Sequence, residues 1–235
     1  MINTNLNVKS LRQRFSRDDR VRVDNFLQPD VIEEVAEEIE QAPFELVYVL
    51  DGNMQTTSKA RMDAMSATQK KQINTAIRDQ AGYGVGFLYG SCHLGAGRPQ
   101  NIGPNMTRLF DEFITSPQMI EFVQGVTGDK SVNSVSGHYT RYLPGHFLTR
   151  HRDEVQQERR RFAYVLSFTP EWHPDWGGLL QFYEEDGTPR DAWAPKFNSL
   201  TIFDVKHIHA VTYVTPFARS PRLSLTGWFM ATPFQ

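Results

Sequence analysis

The chain reads as an α+β protein, mainly β, on three observations. Helical periodicity is confined to the first half of its 235 residues. From about residue 130 to 229 nearly every segment alternates or is strand-like. Pro144-Gly145, Trp176-Gly177-Gly178 and Asp186-Gly187 punctuate those segments as turns. Many short strands at such spacing predict a sandwich or barrel, with the first-half helices backing one sheet. There is no internal repeat, low-complexity tract or linker. The expected organisation is one domain over 1–235, with a helix-rich support over 1–129 and a β core over 130–231.

Taken in order, 20–27 alternates and predicts a strand. A helix follows over 29–41, with Val31, Ile32, Val35 and Ile39 on one face. Residues 44–50 read as a strand ending at Asp51-Gly52-Asn53. Residues 54–65 show no clean period. Ser66-Ala67-Thr68-Gln69 resembles a capping box and starts a helix to about 79. Residues 83–93 read as a strand and 94–105 as loop. A helical stretch begins at 106, and Ser116-Pro117 caps another that ends near 125–128. The expected strands of the second half are 131–143, 146–153, 161–169, 179–184, 198–205, 207–214 and 222–230.

Net charge is −2, which predicts no broad attraction to nucleic acid or membranes. Arg159-Arg160-Arg161 is the one basic run and reads as a solvated strand edge. Cys92 stands alone, which fits a reducing compartment. The first residues have no apolar core of a secretory signal, and no stretch approaches the roughly 18 apolar residues of a membrane span. A soluble cytoplasmic protein is expected.

The chemistry is concentrated in four residues. On a strand, residues two apart share a face, so His151 and Asp153 would project together. His-x-Asp alone arises often on solvated surfaces; the company of a later histidine strengthens it. His207-Ile208-His209 sits in an apolar strand, and both imidazoles would face one way. His209 is assigned to the metal, and His207 to a neighbouring or substrate-side role. His138, His146 and His173 are set aside. Two imidazoles and one carboxylate suit iron(II) with open positions. Zinc could bind the same set, and a hydrolytic zinc site would need a base such as Glu154. Arg222 and Ser224 share a face of 222–230, and an inward guanidinium needs an anionic partner such as a carboxylate. The competing reading is an exposed edge arginine after Pro221. Tyr142 could donate its phenol to the same acid, or be core.

At these residues the chain resembles the iron(II) and 2-oxoglutarate dependent oxygenases, in their prolyl hydroxylase branch. The resemblance rests on Tyr142-x-x-Gly145-x-x-Leu148-x-x-His151-x-Asp153 and on Trp176-Gly177-Gly178-Leu179-Leu180-Gln181. It continues through Phe197-Asn198-Ser199-Leu200, His209-Ala210-Val211-x-x-Val214, Arg222-Leu223-Ser224 and Gly227-Trp228-Phe229. This stretch is similar to the catalytic half of eukaryotic hydroxylases acting on a prolyl residue of a small-subunit ribosomal protein. The resemblance implies a double-stranded β-helix, or jelly roll, with the metal at one mouth. His151, Asp153 and His209 would be catalytic and hold iron(II). Arg222, Ser224 and Tyr142 would bind 2-oxoglutarate. Oxygen is the second co-substrate, and ascorbate is an accessory reductant of such chemistry. The implied reaction hydroxylates a prolyl residue of a protein or peptide, releasing succinate and carbon dioxide. Asp153 argues against a halogenase. Two departures stand out. The ribosomal-protein hydroxylases carry a second, inactive barrel, and this chain stops soon after Trp228. Leu148 stands where collagen-type enzymes have an aromatic residue. The 52–65 segment, with Lys59, Arg61 and Asp63, is a candidate lid. Competing readings are a hydroxylase of a free amino acid or small metabolite, and a non-catalytic barrel binding metal or protein.

Overall fold

The computed structural model describes residues 1–95 and 97–231. Ala96, in the loop expected over 94–105, lies outside the described residues. The first half forms α1 (Val8–Phe15), β1 (Arg20–Asp24), α2 (Pro29–Ile39), β2 (Glu45–Leu50), β3 (Asn53–Thr57), α3 (Lys59–Ala64), α4 (Ala67–Ala81), β4 (Phe87–His93), α5 (Pro104–Arg108) and α6 (Pro117–Thr127). A π-helical turn, Leu109–Ile114, links α5 to α6. The second half forms β5 (Ser134–Tyr142), β6 (Phe147–His151), β7 (Arg160–Ser167), β8 (Leu180–Tyr183), β9 (Pro189–Trp193), β10 (Ser199–Asp204), β11 (Ile208–Val211) and β12 (Arg222–Met230).

Local chemistry explains the helix ends. In α2, Pro29 occupies the first turn, where its missing N–H costs nothing, and Val31, Ile32, Val35 and Ile39 are buried. In α4 the capping box forms in both directions: Ser66 Oγ accepts from Gln69 N at 3.2 Å, and Gln69 Oε1 accepts from Ser66 N at 2.9 Å. Ser116 caps α6 by accepting from Met119 N at 3.2 Å.

The strands pair in the order β1-β10-β7-β12-β5-β4-β6-β11-β8-β9, with β2 also on β4 and β3 on β2. Every ladder is antiparallel. The β4–β6 pairing is short, Phe87↔Leu148 and Leu88↔Phe147, and there the sheet curls over. Leu180 and Phe182 of β8 then pack on Ala163 and Phe203, across the barrel interior. This is a jelly roll with helices on one sheet.

Alternation divides the main sheet into two surfaces. Tyr139, Leu166, Leu200, Ile202, Leu223 and Leu225 point outward into one core with α1, α2, α5 and α6. Thr140, Ser167, Ser199, Thr201, Arg222 and Ser224 point inward and are also buried. The inward surface is polar because it faces a cavity; the outward one is apolar because helices cover it.

Several sequence expectations change. The stretch 54–65 is not an aperiodic loop: β3 pairs with β2, and Ser58 caps α3 by accepting from Arg61 N at 3.3 Å. α1 and β9 were not expected. α1 buries only Leu11 and Phe15, and β9 is largely exposed, so neither has much apolar signal. The strand expected over 207–214 is only Ile208–Val211, and that over 146–153 ends at His151. Arg159-Arg160-Arg161 is not a uniformly solvated edge: Arg160 is half-buried, with its Cζ 3.5 Å from the Trp228 ring centroid. Arg222 is not on an edge, because β12 pairs with β5 on one side and β7 on the other.

Candidate active site

Two strands and one loop build a cluster at the barrel mouth. His151, the last residue of β6, and His209 of β11 are direct ladder partners. Their ring centroids are 4.3 Å apart. Asp153 lies just beyond β6, where its N–H donates to the Val205 carbonyl at 3.2 Å. Its Oδ1 is 3.5 Å from His151 Nε2, and its Oδ2 is 3.4 Å from His209 Nε2. One ligand-capable atom from each residue falls within 4.8 Å of the others.

The backbone sets the imidazole orientation. His151 Nδ1 lies 2.9 Å from the Thr149 carbonyl, and His209 Nδ1 lies 3.0 Å from the His207 carbonyl. Each Nδ1–H donates there, so Nε2 is the atom left facing Asp153: it donates to the carboxylate when protonated and offers a lone pair to a metal when not. Burial would raise the Asp153 pKa, but hydrogen bonds and charge from both imidazoles hold it far below the usual carboxylate range. For His151, burial pulls the pKa down, and the Asp153 hydrogen bond and charge outweigh it, so the net shift is upward.

His207 does not join them. Its Nε2 meets the Asp18 carbonyl at 2.9 Å, and its ring packs edge-on against Phe182. The parity argument fails because His207 sits in the turn before β11, where strand alternation does not apply. His173 accepts from Asp175 N at 3.2 Å in an exposed turn, and His146 Nδ1 meets the Arg141 carbonyl at 3.3 Å. Glu154 is exposed to solvent.

Deeper in the barrel, Arg222 pairs with Tyr142 across the β5–β12 ladder, its Cζ 5.0 Å from the Tyr142 ring centroid. Arg222 is only 4 % exposed, and its Nε has no hydrogen-bond partner among the described residues. Burial lowers its pKa, partly offset by Tyr142. Burial raises the Tyr142 phenol well above its ordinary value, so it stays a neutral donor. Ser224 Oγ lies 2.8 Å from Thr140 Oγ1. Arg222 and Ser224 line a small cavity with Ser167, Ser199 and Thr201. The Gly177-Gly178 turn lets main chain close on this arginine. A Cβ on Gly178 would lie 3.3 Å from Arg222 Cδ, and one on Gly177 would fall 2.0 Å from the Tyr213 carbonyl. Both glycines have positive φ.

Sequence reasoning missed other residues around the cluster. Arg160 Nη1 reaches toward the Asp153 carbonyl at 3.5 Å while its guanidinium covers Trp228. Trp228 Nε1 is buried without a partner among the described residues. His138 lies 6.3 Å from both Tyr89 and Trp228, ring to ring. A concavity of about 1230 Å³ lies elsewhere: Arg150, Ile208 and Ala210 face it from the reverse side of the strands that carry His151 and His209.

Residues 137–230 match the profile of the 2OG-Fe(II) oxygenase superfamily. The chain carries a 2OG-Fe(II) oxygenase domain. That superfamily implies iron(II), 2-oxoglutarate and oxygen, and His151, Asp153 and His209 could hold the metal. Among sequence relatives, the prolyl 3-hydroxylase OGFOD1 of Xenopus laevis is 38 % identical over 86 residues, covering 34 % of this chain and 16 % of that protein. Its Mus musculus counterpart is 37 % identical over 86 residues, covering 34 % and 15 %. The chain thus matches only about a sixth of these relatives' length. Among solved structures, a Pseudomonas putida prolyl-4-hydroxylase superposes with a TM-score of 0.60 at 18 % identity, over 97 % of this chain and 100 % of that one. A Trichoplax adhaerens prolyl hydroxylase, solved with a hypoxia inducible factor peptide fragment, gives 0.58 at 17 %, over 95 % and 89 %. At these identities the structures speak for the fold. No helix among the described residues is long and apolar enough to cross a membrane.

Proposed function

We propose that this oxygenase hydroxylates a prolyl residue of a protein or peptide substrate, with His151, Asp153 and His209 as the iron ligands and Arg222 as the 2-oxoglutarate clamp. The observation that carries the assignment is the unpaired Arg222 guanidinium, buried in the same barrel interior as the cluster. An uncompensated buried charge is costly, and a carboxylate bound beside it removes that cost. The donor set fits the metal too: two neutral nitrogens and one carboxylate, already turned toward one point, with no thiolate. The sequence relatives, named as prolyl 3-hydroxylases, supply the substrate class.

When bound, iron(II) with 2-oxoglutarate and oxygen supplies the oxidising chemistry: one oxygen atom enters a C–H bond, and the acid leaves as succinate and carbon dioxide. The protein's work is positioning. The Thr149 and His207 carbonyls fix the imidazole tautomers. Arg222, Ser224 and Tyr142 orient the dicarboxylate by its far end. Arg160, Trp228, Tyr89 and His138 form a wall beside Asp153 where a substrate ring would rest. β3 and α3 form an exposed arm that is the candidate lid; unaltered proteolysis of this arm with substrate bound would count against that role. We assign the enzyme to the cytoplasm and treat 1–235 as one domain.

The test is to incubate iron-loaded protein with 2-oxoglutarate and proline-containing peptides. The expected result is succinate release coupled to gain of one oxygen on a prolyl residue. Oxidation of free proline alone would redirect the assignment to a small metabolite. No succinate with any acceptor would overturn it.

A further inference from the structure

We propose that the pocket framed by Arg14, Arg17, Arg20 and Arg22 is a second anion site, which takes a small polyanion bearing several carboxylates or phosphates. Its volume is about 340 Å³, and its walls are those four arginines with Val21 and Trp193. No carboxylate lines it. The turn between α1 and β1, with Asp19 at φ 48°, folds the end of the helix back against the strand and brings the cations together.

Not all four charges are spent. Arg20 is neutralised by Asp18 and Asp191, each at 2.5 Å. Arg22 donates to the Ala194 carbonyl at 3.2 Å and has Asp24, at 3.6 Å, as its one ion-pair partner among the described residues; Lys196 holds that same carboxylate at 2.7 Å. Arg14 donates to the Arg22 carbonyl at 3.1 Å and forms no ion pair among the described residues; nor does Arg17. Basic residues in the last turn of a helix commonly serve its C-terminal carbonyls. Arg14 instead reaches across to β1. Like charges gathered around a concavity repel one another and favour an anion between them.

The pocket suits a metabolite-sized ligand. Trp193 gives it an apolar wall, with the Arg20 and Arg22 guanidiniums 5.3 and 5.8 Å from its ring. It is separate from the Arg222 cavity but abuts it, since Arg22 and Trp193 line both. An occupant would therefore press on the wall of the cavity assigned to 2-oxoglutarate.

The site can be tested without iron or turnover, so its failure is distinct from failure of the oxygenase reading. Isothermal titration of the full chain at low ionic strength would use citrate and, separately, pyrophosphate as probes. At least one should bind, and which one does so separates a polycarboxylate from a phosphorylated ligand. The R14Q/R17Q double variant, whose changed side chains are exposed, should weaken binding about tenfold or more. K59Q, a loss of charge at a remote surface, and R222M, in the neighbouring cavity, should both leave it intact. Absence of binding by both probes at millimolar concentration would overturn the site. So would binding that survives R14Q/R17Q, or that K59Q or R222M reduces equally.

Discussion

The two surfaces of the β5–β12–β7 ladder share strands, register and burial, yet carry different residues. Outward, Tyr139, Leu223, Leu225 and Leu166 join a continuous apolar core under the helices. Inward, one position along, Thr140, Arg222, Ser224 and Ser167 stay polar although equally hidden from solvent. Depth alone therefore does not tell scaffold from site. The outer surface is stabilised by close packing, so truncations there open cavities. The inner surface keeps polar groups, among them Arg222, whose Nε has no hydrogen-bond partner among the described residues. Stability and chemistry are separated by strand parity, and substitutions on the two sides should affect different observables.

The largest effect is expected at the mouth of the inner surface. Asp153→Ala should abolish succinate release from 2-oxoglutarate while leaving the metal-free melting temperature close to that of the parent; normal turnover would show that the ligands lie elsewhere. Leu225→Ala, on the outer surface, should cost about 2–5 kcal/mol in chemical denaturation, yet leave turnover per folded molecule unchanged. Arg222→Met should weaken 2-oxoglutarate binding roughly 30-fold or more. Because it removes an unpaired buried charge, it should also raise the ligand-free stability by on the order of 1 kcal/mol. A fall in stability with unaltered 2-oxoglutarate affinity would make Arg222 structural.

The smallest effect concerns pH. Burial lowers the pKa of His138 and of His146 to about 4. In the unfolded chain both would titrate near 6.5. Between those values the unfolded chain binds more protons, so stability should fall as pH drops from about 6.5 to about 4. His151, shifted upward, acts with the opposite sign, its stabilisation being lost as pH rises from about 6.5. A melting series for His146→Gln should be flatter than the parent's; an identical slope would remove His146 from the account.

Much of this could be read from residue order. Arg222–Met230 has the bounds that alternation suggested, and His151, Asp153 and His209 meet as their company in the sequence implied. What escaped had specific causes. His207 looked equivalent to His209 because a strand was extended through a turn. Arg160 hid among three arginines, and its direction depends on a bulge opposite Phe229 and Met230 that breaks parity with Phe162. The Arg14–Arg22 cluster vanished in a net charge of −2, since counting charges ignores where folding gathers them.

Among the described residues β1 pairs only with β10, Arg20 lying opposite Phe203. A strand near residue 20 thus waits for one near residue 200 before it has a neighbour. During synthesis its backbone N–H and C=O groups lack a strand partner until residues 199–204 have been made. Deleting β1 would bare the β10 edge to other molecules and strip Arg22 from the barrel wall, so such a variant should aggregate more readily than the parent.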